Sequence, residues 1–461
     1  MGARYGPLGP TALERFLSLF TRVERREGPT ALILIANIFL ILVAYYLIKP
    51  VREGWLAVSV FRSLTPLEVK AYSAFAQSCI LLFLLPVYAV LASRVSRVHL
   101  ITRVGIFFGI GLVVFWALQR AGVPYAGVCF YVFVGIFSVT HVAQFWAFAS
   151  DVYGEERGKR LFPLVAIGAA GGAVAGSWIG SALLATGIDA YLLIPLAVVP
   201  LAMAVATAVW TDRREGGEGQ GAEGEASRRF EAAAPEGESP YRLISRHRYL
   251  YATAAMTILF SWVLASGDNI LFGLVQEALR EDFAPVAGDP AHHAQLVNAA
   301  TSAFYSSLYL WINLFGLLLQ AFVVSRVLSF SGFGTLLLVT PFISLAAYAS
   351  MLATPVLAVL KVVKIAENSS NLSVNNTARH VLWLPTTKEM LYQAKPTIDT
   401  LCVRVGDLGA ALTVLLGARL LDLSLETFIG INLVLVLGWI AIALFVGREH
   451  RRLVRDGQAA G

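Results

Sequence analysis

Lys49, Arg52 and Glu53 interrupt an otherwise apolar run, ANIFLILVAYYLIKPVREGWLAVSVF. At i, i+3 and i+4 they share one face of a helix. Pro50 lacks a backbone donor and restricts the residue before it, which predicts a kink at this point. If the helix instead ended at Ile48, the three charges would snorkel to water. The apolar stretch 55–61 argues against that ending.

A second polar set recurs in PVLAVLKVVKIAENSSNLSVNN, where Lys361, Lys364, Asn368, Asn371 and Asn375 form a stripe along one helix face. An ammonium at mid-bilayer costs at least about 2.5–3.5 kcal/mol, so such groups face a wet path or a partner. Glu367, three residues after Lys364, could be that partner. TIDTLCVRVGDLGAALTVLL adds Asp399, Arg404 and Asp407, with Arg404 and Asp407 again three apart, and FSWVLASGDNILFGL adds Asp268. These bases (Lys49, Arg52, Lys361, Lys364, Arg404) and acids (Glu53, Asp268, Glu367, Asp399, Asp407) balance. Their chemistry permits an anionic ligand without demanding one.

The elements that hold these residues follow from hydropathy. The chain has 461 residues, 57% hydrophobic and only 14% charged, with a mean hydropathy of +0.68. That is too much apolar surface for a soluble core, so lipid must cover much of it. Runs of about 20 apolar residues cross a bilayer as helices, because hydrocarbon offers no partner to an unpaired backbone group. Such runs predict helices at 30–60, 71–93, 100–119, 124–149, 162–186 and 191–210, and at 249–279, 299–324, 333–352, 354–376, 397–420 and 426–447. The reading is an all-α polytopic membrane protein of about 12 transmembrane helices. Residues 30–210 and 241–447 form two six-helix bundles, flanked by an N-terminal segment (1–29) and a tail (448–461). The Gly- and Glu-rich stretch 211–240 reads as a flexible linker.

Lys and Arg gather in the N-terminal segment, around Arg94, Arg97 and Arg103, around Arg157, Lys159 and Arg160, in the linker and in the tail. Most of the few on the opposite side (Lys49, Arg52, Arg62, Lys70) surround the end of the first helix. The positive-inside rule therefore predicts cytoplasmic termini in a bacterial inner membrane, and it explains the net charge of +6 without nucleic acid. Two six-helix halves with a cytoplasmic linker is the plan of the major facilitator fold, which holds a substrate between its halves near mid-membrane. Lys49 lies 18 residues after Ala31 and Asp268 lies 18 after Leu250. Each half thus opens with a helix interrupted by charge at a similar depth.

Gly168, Gly172, Gly176 and Gly180 recur every four residues, a spacing that lets two helix backbones approach closely. The preceding loop, SDVYGEERGKRLFP, offers Asp151, Arg157 and Arg160 as gating partners. His141 could shuttle protons, though a lone membrane histidine is more often a packing residue. His292 and His293 read as an outer-loop pair with no company for a metal. Cys79, Cys129 and Cys402 have neither disulfide context nor ligand spacing. No Walker loop, nucleophile elbow or HExxH array is present, which argues against an enzyme. No cofactor or metal is required, and the working unit is expected to be a monomer.

Three stretches resemble the ATP:ADP antiporter family of plastids and intracellular bacterial parasites, with its bacterial relatives. They are Tyr45, Lys49, Arg52 and Glu53 in the first helix; Phe145, Trp146, Lys159, Arg160, Pro163 and Leu164; and Ser373, Arg379, Pro385, Lys395, Ile398, Asp399, Gly406 and Gly409 in the second half. The resemblance implies a nucleotide carrier working by alternating access. Substrate would contact Lys49, Arg52, Glu53, Asp268, Lys361, Lys364, Glu367, Asn371, Arg404 and Asp407, and Arg379 and Asp399 join the gating set. Three departures stand out: Asn371 replaces a lysine, His380 a glutamate and Pro50 an acid of the family pattern. They fall where substrate chemistry is decided, so another organic anion or a proton-coupled solute is the alternative cargo. A membrane scaffold or sensor that transports nothing is a third reading.

Overall fold

The computed structural model describes residues 27–59, 61, 63–94, 97–215, 239–284, 288–354, 356–387 and 389–459, and all regular structure among them is helical. Most of the expected N-terminal segment and of the expected linker lies outside the described residues. Ten stretches are long and apolar enough to cross a membrane. One of them, Pro290–Ala353, has 64 residues and turns at Gly332, whose φ of +75° breaks the helix. It therefore holds two spans. The polar segment Leu357–Ser370, continued by a π-turn and Asn376–Val381, completes twelve.

In chain order the helices are α1 (Glu27–Ala57), α2 (Pro66–Arg94), α3 (Arg97–Arg120), α4 (Ala126–Tyr153), α5 (Arg160–Ala185), α6 (Ala190–Arg214), α7 (Arg248–Asp282) and α8 (Pro290–Leu318). Then follow α9 (333–353), α10 (Leu357–Ser370 and its continuation), α11 (Lys395–Leu420) and α12 (Leu425–Ala459). The helical hydrogen bonding of α4 and α5 is continuous over 60 residues. A straight rod of that length would measure about 90 Å against a bilayer core of about 30 Å. Yet the Trp146 and Phe162 rings lie 5.6 Å apart, so the chain doubles back in the charged stretch between them.

Several boundaries differ from expectation, each for a local reason. Helix α1 continues through Pro50 to Ala57 with Glu53, Gly54, Trp55 and Leu56 buried, which excludes an ending at Ile48. Helix α2 starts at Pro66 rather than 71. Thr65 and Glu68 form a reciprocal cap, with Thr65 N–H to Glu68 Oε2 at 2.7 Å and Glu68 N–H to Thr65 Oγ1 at 3.3 Å. Helix α8 starts at Pro290 because the Asp289 carboxylate accepts from the Ala291 and His292 amides. His292 and His293 thus belong to its first turn, not to a loop. Helix α12 runs on through most of the expected tail.

The glycine row of α5 packs on α1 of the same half. A Cβ on Gly172 would sit 2.4 Å from the Phe39 carbonyl oxygen, and one on Gly176 would sit 2.8 Å from Val43 Cα. Only Gly180 reaches toward the other half, at Ser306. The row therefore brings two helices of the same half into close backbone contact. Between the halves, α8 meets α1 and α5, and α2 meets α7 and α11. Gly54 lies against Asn298 and Ser302, and Gly273 against Leu67. Asn313 Nδ2 donates to Ala173 O at 3.3 Å and to Ser177 Oγ at 3.1 Å. Arg419 pairs with Glu68 at 2.8 Å and donates to Ser63 O at 2.5 Å. The halves are thus sealed at the end of the bundle where α1 and α11 finish and α2 begins.

Candidate functional site

Near the end of α1, Glu53 is fully buried and held by two cations. Arg52 Nε lies 3.0 Å from Glu53 Oε1, and Lys70 Nζ bonds Glu53 Oε2. The ring of Tyr131 sits between these cations, 4.5 Å from the Arg52 guanidinium and 4.6 Å from the Lys70 ammonium. Two bases against one acid leave this cluster positive. The expected helix 71–93 leaves Lys70 just outside a span, near the end of the first helix. The earlier start of α2 carries it into the core, where it is 5% exposed.

Lys49, one turn before this cluster, is half-buried and makes no ion pair or hydrogen bond with any described residue. Its ammonium instead rests among aromatic faces, 5.5 Å from Tyr45, 5.2 Å from Tyr46 and 3.9 Å from Tyr309. Tyr45 and Tyr46 belong to α1, whereas Tyr309 comes from α8 across the interface. The tyrosines continue along α8, with Tyr305 at 5.8 Å from Tyr309.

The C-terminal half reverses the ratio. Lys364 and Glu367 are both fully buried and 2.5 Å apart, one turn of α10 from each other. Asp268 of α7 lies 3.5 Å from the same ammonium. Two acids therefore face one base. Asp268 is itself 58% exposed and is the accessible member of the trio. Lys361, one turn earlier, is half-buried and holds only the Ser307 hydroxyl at 2.9 Å and the Phe304 ring at 5.5 Å. The stripe expected along α10 therefore divides: Lys361 is open, Lys364 is enclosed, and Asn371 accepts from Asn375 at 2.8 Å inside a π-turn. Such turns within a helix often mark functional positions.

Arg404 pairs with Asp407 at 2.8 Å as its spacing suggested, and Ser261 donates to Asp407 at 2.9 Å, two turns from Asp268 along α7. Of the expected gating residues, Arg157, Arg160, Arg379 and Asp399 form pairs within one half. Arg160 forks onto Glu27 at 3.0 and 3.3 Å, and Arg157 lies 3.7 Å from the same carboxylate, tying the α4–α5 turn to the start of α1. Arg379 and Asp399 meet at 2.6 Å between α10 and α11. Asp151 is exposed and has a partner of its own. The Arg157–Glu27, Arg160–Glu27 and Arg379–Asp399 pairs do not join the halves, whereas Arg419 and Glu68, which the sequence did not single out, do.

These positions revise the balance of charge. Asp399 is neutralised by Arg379, and Lys70 enters. The buried or half-buried bases of these clusters are then Lys49, Arg52, Lys70, Lys361, Lys364 and Arg404, against Glu53, Asp268, Glu367 and Asp407. Both surplus cations, Lys49 and Lys361, are half-buried without a carboxylate partner.

No family profile matches the sequence, and no curated protein matches it. Solved structures do share its fold. A point mutant of the nucleoside transporter NupG aligns at TM-score 0.61 and 14% identity, covering 90% of this chain and 99% of that one. A peptide transporter POT in complex with sulfate aligns at 0.59 and 13%, covering 94% and 99%. A bacterial homologue of the human lysosomal transporter Spinster, inward-facing and occupied, aligns at 0.54 and 13%, covering 94% and 98%. The chain is a polytopic membrane protein with the major facilitator fold.

Proposed function

We propose that this chain is an alternating-access carrier of an organic anion, and that the anion is a nucleotide. The observation that carries the reading is that Lys49 and Lys361 make no ion pair with a described carboxylate, Lys49 resting at the boundary between the halves and Lys361 against α8. An ammonium kept at membrane depth without a carboxylate is costly unless it meets an anion in function. The rings of Tyr45, Tyr46 and Phe304 around these cations add faces on which a planar base can stack. The same fold carries a nucleoside in one neighbour's description and a sulfate in another's.

In this reading, substrate enters from the end that bears the termini, opposite the Arg419–Glu68 seal, and that end is cytoplasmic in a bacterial inner membrane. Lys49 and Lys361 attract the phosphates. Arg52, Lys364 and Arg404 stay paired until substrate competes for them. The halves then rock about the site. One chain supplies both walls, so a monomer suffices and no cofactor takes part. The test is uptake of labelled ADP and ATP into proteoliposomes with and without internal nucleotide. Exchange that depends on internal nucleotide is expected, and the absence of such exchange with both nucleotides would refute the nucleotide reading.

A second reading rests on Asp268, an exposed carboxylate 3.5 Å from a buried lysine. Protonation would release it from Lys364, as a proton-coupled solute carrier requires. Flux that follows a pH gradient and persists in excess nucleotide would favour that reading.

A further inference from the structure

Lys49 is held at the boundary between the halves, and its nearest ring, Tyr309, belongs to the opposite half. A cation–π contact retains a partly buried ammonium with about 0.5–2 kcal/mol, far less than the carboxylate contacts that fix Lys70 and Lys364. Both residues are half-buried, and neither is walled in as Lys364 is. An anion that approaches the Lys49 ammonium from the side covered by the Tyr309 ring must displace that ring, because the ring face and a phosphate oxygen cannot both occupy the same side of one ammonium at contact distance.

We infer that Tyr309 is a positioning residue that competes with the anion for Lys49. With the site empty, the ring parks the ammonium across the interface and keeps the halves in register. When the anion binds, this contact is given up, so loading loosens one tie between α1 and α8. The ring therefore lowers affinity and links occupancy to movement. This inference rests on the anion-carrier reading above and goes beyond it by assigning Tyr309 an effect opposite in sign to that of an ordinary binding residue.

The test is calorimetric titration of the full-length protein in nanodiscs with ADP and, separately, with inorganic pyrophosphate as a bare polyanion. Tyr309→Leu removes the ring and is expected to bind up to about tenfold more tightly than the wild type. Tyr309→Phe keeps the ring and should stay within about twofold. In a Lys49→Ala background, Tyr309→Leu should give no gain, since the two residues act on one contact. Weaker binding by folded Tyr309→Leu, or the same gain with and without Lys49, overturns the inference while leaving the carrier reading intact. If pyrophosphate binds and ADP does not, the inference is judged on pyrophosphate and the nucleotide reading falls. If neither binds to the wild type, both fall.

Discussion

The two halves bury their charge in opposite ratios. In the N-terminal half one carboxylate, Glu53, is shared by Arg52 and Lys70, and a third cation, Lys49, stands beside them without a carboxylate. In the C-terminal half one ammonium, Lys364, is shared by Glu367 and Asp268. The comparison separates two uses of a charge in a membrane. Groups enclosed with their partners hold helices together, and removing one strands the other in a medium that cannot solvate it. A cation among aromatic rings strands nothing when it is removed, so stability does not explain its presence.

This contrast can be broken by mutation, starting where the effect should be largest. Lys364→Ala leaves the fully buried Glu367 without its cation and should cost about 3–5 kcal/mol, read by SDS-titrated unfolding followed through tryptophan fluorescence. A loss below about 1 kcal/mol would mean that water reaches this pair and the enclosed charge is not structural. Lys70→Ala removes one of two cations on Glu53. Arg52 remains, so the cost should be smaller, about 1.5–3 kcal/mol. If Lys70→Ala proved as damaging as Lys364→Ala, the N-terminal cluster would have no cation to spare.

Arg419→Ala concerns the pair at the sealed end, in which Arg419 is exposed and the buried Glu68 also accepts from Thr65 and Tyr72. With those bonds kept, the loss should be about 0.5–1.5 kcal/mol. The conformational balance should change, because the pair joins α11 to α2. Spin labels at Val123→Cys and Leu421→Cys, with the three native cysteines replaced by serine, should show a longer-distance population in this variant. An unchanged distance distribution would remove Arg419 from the seal. Lys49→Ala gives up only its ring contacts and should cost no more than about 0.5–2 kcal/mol, below the Lys364→Ala loss.

Much of this architecture was legible in the sequence because it repeats with the helix. The apolar runs predicted twelve spans, and three-residue spacing anticipated the Lys364–Glu367 and Arg404–Asp407 pairs, whose partners lie one turn apart on one helix. Contacts between helices were not legible in that way. Tyr309 stands 260 positions from Lys49, and Arg419 stands 356 from Ser63, so no local periodicity links them. One missed feature did leave a signal. The run Thr65-Pro66-Leu67-Glu68 carries a capping box with proline at the first helical position, which marks the start of α2. Read that way, it places Lys70 one turn inside a helix rather than in a loop. The even balance of charge failed for the same reason: proximity in sequence could not show that Asp399 serves Arg379 while Lys70 serves Glu53.

The most direct test of the distinction between enclosed and available charge is to measure stability and transport together on Lys49→Ala, with Lys49→Arg as the charge-retaining control. Counterflow of labelled ADP into ADP-loaded proteoliposomes should fall at least about tenfold in Lys49→Ala, the scale of one lost charge-assisted contact, while its loss of stability stays within about 2 kcal/mol, well short of Lys364→Ala. Lys49→Arg should retain measurable flux. Wild-type flux in Lys49→Ala, or a loss of flux matched by a loss of fold, would contradict the account.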